Sequence, residues 1–140
     1  MTANRIIKVA FPSYSDLVPS VRKFISDAVL LEGYHNRFAF QTEVIVDELC
    51  QSAMQFNLGA VGETEISFEF EFLAEGVEIR LQGAVARTEQ VQKLRKAIEE
   101  SRKVKHLLGG GMEIIQLLST TMDVFEGDGN AQIRVFKGNE

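Results

Sequence analysis

Cysteine, proline, long apolar runs and excess positive charge are all scarce in this chain, and each shortage excludes something. Cys50 is the sole cysteine in 140 residues, so no internal disulfide framework holds the fold. It falls inside a stretch of helical apolar spacing, which predicts a buried structural thiol and not a reactive one. No apolar run approaches the roughly 18–20 residues that a membrane-spanning helix needs. Met1 to Arg5 lead straight into a strand pattern without the apolar block of a secretory signal, so a cytoplasmic location is expected. Lys and Arg number 15 against 20 Asp and Glu, a net charge of −5. That balance argues against nucleic acid as a direct partner. What is present is ordinary for a globular protein: 45% hydrophobic and 25% charged residues. The length suits one domain, 1–140, with a sizeable core.

Ile6, Ile7, Val9 and Phe11 form a short β-rich run that Pro12 ends. Ser13 and Ser15 are candidate N-caps for a helix in which Leu17, Val21, Phe24, Ile25, Ala28 and Leu31 recur at helical spacing. Pro19 falls in its first turn, where a missing N–H is tolerated, and Gly33 stops it. A longer helix is predicted from about Asn36 to Phe56, with Phe38, Ile45, Leu49, Ala53 and Phe56 on one stripe and Asn57 and Gly59 ending it.

The period then changes to two. Ile66, Phe68, Phe70 and Phe72 alternate with Glu65, Ser67, Glu69 and Glu71, which predicts a strand with one face in the core and an acidic face outward. Glu75-Gly76 is a turn, and Val77, Ile79 and Leu81 complete an antiparallel hairpin. Residues 84–108 are mostly polar, with a modest helical stripe of Val91, Leu94 and Ile98, and suggest a lid or insertion. Within it the basic residues from Arg87 to Lys105 outnumber the acidic ones; they form either a solvated helix face or a cationic surface for a phosphate or acidic partner. Ile114, Ile115, Leu117 and Leu118 mark a short buried helix. Met122 and Val124, then Ile133 and Val135, flank the turn Gly127-Asp128-Gly129-Asn130. The order predicts an α+β two-layer sandwich, an antiparallel-rich mixed sheet with helices on one face.

Gly109-Gly110-Gly111 runs directly into the last helical pattern. Glycine lets the backbone approach another group closely, and a helix N-terminus offers free N–H groups to an anion. The loop therefore either cradles a phosphate or simply permits tight packing.

This order, together with Val44-Ile45-Val46-Asp47-Glu48-Leu49-Cys50-Gln51-Ser52-Ala53, the glycine run and the closing Ile133-Arg134-Val135-Phe136, resembles the GHKL (histidine-kinase-like) ATPase superfamily with its Bergerat fold. Within it the similarity is to the RsbW-like anti-sigma-factor branch of serine-protein kinases. The resemblance implies ATP and Mg²⁺ as cofactors, and a sigma factor or an anti-sigma antagonist as partner. It implies Glu48 as the group that polarises the attacking hydroxyl. Ser52 stands where the family has a metal-binding asparagine, one helical turn on. Gly83 stands where the family has the aspartate that binds adenine. Gly109, Gly110 and Gly111 match its second glycine box. His35 and His106 have no partner at metal-ligand spacing and suit surface or capping roles.

Three functions follow. The first is a regulatory protein-binding module resembling an anti-sigma factor, its nucleotide binding weakened or lost, with room for a homodimer. The second is an active ATP-dependent serine-protein kinase with Glu48 as general base. The third is an unrelated α+β domain that binds a small acid at the glycine loop.

Overall fold

The computed structural model describes residues 5–12, 14–55, 65–83, 88–103, 111–127 and 130–139. The strand predicted by alternation is present, second in the sheet. β2 (Glu65–Phe72) buries Ile66, Phe68, Phe70 and Phe72 and turns its glutamates outward. β1 (Arg5–Pro12) pairs with one side of β2 and β3 (Gly76–Gly83) with the other. β4 (Thr121–Gly127) and β5 (Asn130–Gly138) form a second hairpin, and β5 lies against β3. The sheet order is β1-β2-β3-β5-β4, and every pairing is antiparallel. No parallel pair occurs among the described strands: β1, β3 and β4 run one way, and β2 and β5, which run the other way, separate them.

Among the described residues, four α-helices cover one face. α1 (Val18–Leu31) follows a 3₁₀ turn at Ser15–Leu17, and α2 (Asn36–Gln55) returns beside it. α4 (Gly111–Leu118) packs on α2, and α3 (Thr88–Lys103) packs on α4 and β4. The helix layer therefore runs α1-α2-α4-α3. One continuous core joins both layers, from Val21, Ile25 and Val29 through Ile45 and Leu49 to Ile79, Leu81, Ile115 and Val135.

Local chemistry explains the element ends. Pro19 sits in the first turn of α1, while the N-cap positions Tyr14 and Leu17 make no side-chain cap bond. Ser15 thus opens the 3₁₀ turn and caps nothing, and Ser13 lies outside the described residues. Gly33 has φ +97°, the left-handed conformation that ends α1. His35 caps α2: its Nδ1 accepts from the Phe38 N–H at 3.2 Å, and its carbonyl accepts from the Ala39 N–H at 3.1 Å. Gly76 is required at the hairpin turn because a Cβ there would run into the Lys137 carbonyl. The Tyr34 hydroxyl ties the α1–α2 corner to that turn, 3.0 Å from the Leu73 carbonyl and 3.2 Å from that of Gly76.

Three apolar residues assigned to helix stripes by spacing are not buried. Phe24, Leu31 and Leu117 stand in solvent, while Val18, Val29 and Ile115 hold the core positions on their helices. Among the described side chains of the helix at 111–118, Ile115 is fully buried, and Leu118 is partly buried against the core. Phe56, Asn57, Gly59 and His106 lie outside the described residues.

Candidate functional site

Glu48 and Ser52 share one side of α2, a single turn apart, as their spacing requires. Ser52 is only 4% exposed. Glu48 is half-buried, and its carboxyl is raised above the usual range, first by desolvation and then by the neighbouring Asp47 charge. Asp47 itself is engaged: Arg22 of α1 approaches it at 3.5 Å, and the Gln51 amide donates to it at 3.0 Å. Arg22 also faces Glu43 at 3.8 Å, so the two helices meet across a short acidic row with one cation.

Gly83 is the last residue of β3, between Ile66 and Ala131. Gly111 begins α4, which packs on α2. Gly109 and Gly110, and with them the glycine loop, lie outside the described residues. Among the described residues no group of three His, Cys, Asp or Glu side chains converges on a metal position, and no helix is long and apolar enough to cross a membrane. Cys50 is fully buried beside Leu49, its thiol pushed up to about 12 by desolvation, then by Asp47. It is inert where the sequence placed it.

The stretch 88–103 is a helix, in line with the modest helical stripe read from Val91, Leu94 and Ile98. Its Ile98 enters the core. Arg102 donates to the Met122 carbonyl of β4 at 2.6 Å and reaches Asp123 at 3.2 Å. Lys93, Arg95 and Lys96 are exposed, the solvated alternative for the basic stretch. A small open depression of about 110 Å³ lies between α3 and β4, lined by Arg95, Glu99, Arg102 and Asp123 with Ile98 and Val124.

Two features were not found from the sequence. Lys137 of β5 continues the inward register of Ile133 and Val135 and is buried. Its ammonium donates to the Leu118 carbonyl at the end of α4, at 3.0 Å, and sits 5.0 Å from the centre of the Phe38 ring on α2. A cation at a helix C-terminus is well placed electrostatically. Desolvation nevertheless lowers its pKa, with Arg37 adding to the effect. Around this joint two large apolar side chains face water: Phe40 on α2, 63% exposed, and Leu117 on α4, 67% exposed. Period-two continuation pointed to Lys137, and helical spacing pointed to Phe40 and Leu117, each about 200° round its helix from the buried Phe38 and Ile115.

The open face of the sheet is polar. Arg80 lies among Glu69, Glu71 and Glu78, with its closest contacts at 2.9 and 3.0 Å. Lys8 approaches Glu69 at 3.5 Å, and Arg134 lies over the Phe125 ring at 4.2 Å. The acidic face read from β2 is thus compensated by a cation from the neighbouring strand.

No protein-family model matches this chain, and no curated protein does. Among solved structures it is similar to a chain in the crystal structure of the SiaB–SiaC complex from Pseudomonas aeruginosa. The TM-score is 0.71 at 15% identity, over 96% of this chain and 91% of that one. At that identity the likeness is one of fold.

Proposed function

We propose that this chain is a regulatory protein-binding module of the partner-switching kind, holding another protein on the outer surface of its helix layer. The observation that carries the proposal is the pair Phe40 and Leu117. They project from neighbouring helices at the end joined by Lys137. Exposed large apolar side chains with a polar surround are the usual anchors of a protein interface. The shared fold adds weight, since the similar chain was solved in a complex of two proteins. The anti-sigma resemblance supplies the candidate partners: a sigma factor or a small antagonist domain.

The same reading has nucleotide binding weakened or lost. Ser52 is buried and shorter than the asparagine the family uses, and Gly83 has no side chain with which to read a base. One observation favours the kinase as second reading: a half-buried Glu48 with a raised pKa has the character of a general base. A pull-down from native extract, with and without Mg-ATP, tests the first reading. Phe40→Asp with Leu117→Asp is expected to abolish capture of the partner while the melting temperature stays unchanged. Undiminished capture by the double variant would refute the assigned surface. Phosphorylation of the captured partner, lost in Glu48→Gln, would establish the kinase.

A further inference from the structure

We propose that the outer edge of β4, beside α3, takes an extended acidic segment of another protein as an added strand, with a carboxylate of that segment on Arg95. This goes beyond the partner-binding reading and uses different residues. β4 ends the sheet and has β5 on one side only. The backbone groups of successive strand residues point to opposite edges, and the turns fix which residues point where. Leu73 and Gly76 exchange both backbone bonds, at 2.8 and 3.4 Å, so the even residues of β3 face β2. The odd ones face β5, and the Asn139 N–H accordingly donates to the Glu75 carbonyl at 2.8 Å. Carried one strand further, the alternation turns Thr121, Asp123 and Phe125 toward β5 and turns Met122 and Val124 outward. Arg102 of α3 gives the same answer independently. Its guanidinium donates to the Met122 carbonyl at 2.6 Å and reaches the Asp123 carboxylate at 3.2 Å, so it lies across that outer edge.

The Met122 N–H and both backbone groups of Val124 remain on this edge without a partner among the described residues. Beside them lies the depression of about 110 Å³ that Ile98 and Val124 line together with charged side chains of α3 and β4. Arg95, Glu99 and Arg102 recur about a turn apart along α3 and share the side turned to β4. Arg102 lies 3.2 Å from Asp123 and 4.0 Å from Glu99. Arg95 is exposed and has no carboxylate partner among the described residues. Free backbone groups give an added strand its affinity, and the alternate side chains give it specificity. The register sets the pattern of the occupant. A residue opposite Val124 turns to the helix side, into the depression, where a carboxylate meets Arg95. A residue opposite Phe125 turns to the open side, where an apolar side chain covers a ring that is 46% exposed. The segment therefore alternates acidic and apolar residues, and it closes an edge that Arg102 covers only at Met122.

Titration of the isotope-labelled full chain with two synthetic heptapeptides, followed by amide NMR, tests this. One peptide alternates Val with Glu and the other alternates Val with Lys. The Val–Glu peptide is expected to shift the Met122, Val124 and Arg95 amides saturably and to bind about 10-fold tighter than the Val–Lys peptide. Arg95→Glu should reverse that preference with the melting temperature unchanged, because Arg95 is exposed. The Glu residues of the peptide stand opposite Val124, so their N–H groups point at β4. N-methylating them should abolish binding, and N-methylating the Val residues should not, a register dependence that charge attraction alone does not produce. Phe40→Asp with Leu117→Asp should bind the Val–Glu peptide as the wild type does, which separates this edge from the surface assigned above. Equal binding of the two peptides, equal loss on methylating either set, shifts at Phe40 and Leu117 in place of Met122 and Val124, or no shift at millimolar peptide overturns the proposal.

Discussion

Phe70 has no exposed surface. It lies opposite Ile7 on one neighbouring strand and Ile79 on the other, with the Phe68 ring stacked 5.4 Å away. Nothing nearby is free to collapse into the space it fills. Phe70→Ala should therefore cost about 3–5 kcal/mol, as truncating a buried phenylalanine does, and urea denaturation measures it. Glu48 makes a subtler prediction. Its folded pKa is raised, so between the unfolded value and the raised one the native state holds more protons than the unfolded state. Its contribution is full below the unfolded value and is lost as pH rises through the folded one. Above the raised value the ionised carboxylate is a net cost to folding. Glu48→Gln should raise the melting temperature at pH 7, and the gain should shrink as pH falls toward 4. A gain that is larger at pH 4 than at pH 7 would show that the raised pKa has been assigned to the wrong state.

At the scale of elements, α2 starts where His35 supplies a lone pair to the Phe38 N–H. His35→Ala removes the cap and is expected to cost about 0.5–2 kcal/mol, whereas His35→Asn should retain most of it; thermal denaturation separates the two. α3 makes a different prediction. It is fastened through Ile98 and through the Arg102 bond to Met122, and much of its remaining surface is exposed and basic. Its amides should exchange faster than those of the β2–β3 hairpin, which has strands on both sides. Equal protection would make the segment core structure and end any lid role. The elements themselves were legible where pattern and packing agree. β2 was clear because every second residue is apolar, and α2 because Phe38, Ile45, Leu49 and Ala53 keep one stripe over most of its length. The flank of α1 was not legible, because Phe24 and Leu31 continue the apolar period while lying past the rim of the sheet. Spacing fixes the angle around a helix; it does not say where the neighbouring layer stops. The candidate site was legible as a pair, Glu48 and Ser52, through the turn-by-turn geometry of a helix. The burial of Ser52 was not, since it depends on what α2 packs against. Arg80 was missed for the complementary reason: its partners Glu69 and Glu71 lie on another strand, and only the register between strands brings them together.

The whole molecule presents two unlike surfaces. The open side of the sheet is a field of paired charges, with Lys8, Glu69, Arg80, Arg134 and Asp123 aligned strand by strand. The helix side carries the most exposed of the large apolar groups, Leu31, Leu117 and Phe40, while Ile6 and Phe125 stand half-exposed among the charges of the open side. Docking energy is therefore concentrated on the helices, where a protein partner has anchors to bury, and this bears on the nucleotide question. A Mg-ATP site in the resembled family draws on an amide ligand to the metal and a carboxylate for the base. In the proposed reading, Ser52 and Gly83 stand at those positions. Losing two such interactions, at about 1.5–3 kcal/mol each, weakens affinity by roughly 10²–10⁴-fold if they add. Titration calorimetry with Mg-ATP at micromolar protein should then show little heat. Restoring both groups in Ser52→Asn with Gly83→Asp should recover part of the binding. The gain is limited because position 52 is buried, and overfilling a packed site costs about 1–3 kcal/mol. Gly83→Asp alone restores one of the two groups and should give a smaller but measurable heat. Tight Mg-ATP binding by the unmodified chain, abolished by Glu48→Ala or Gly111→Val, would overturn the degenerate reading.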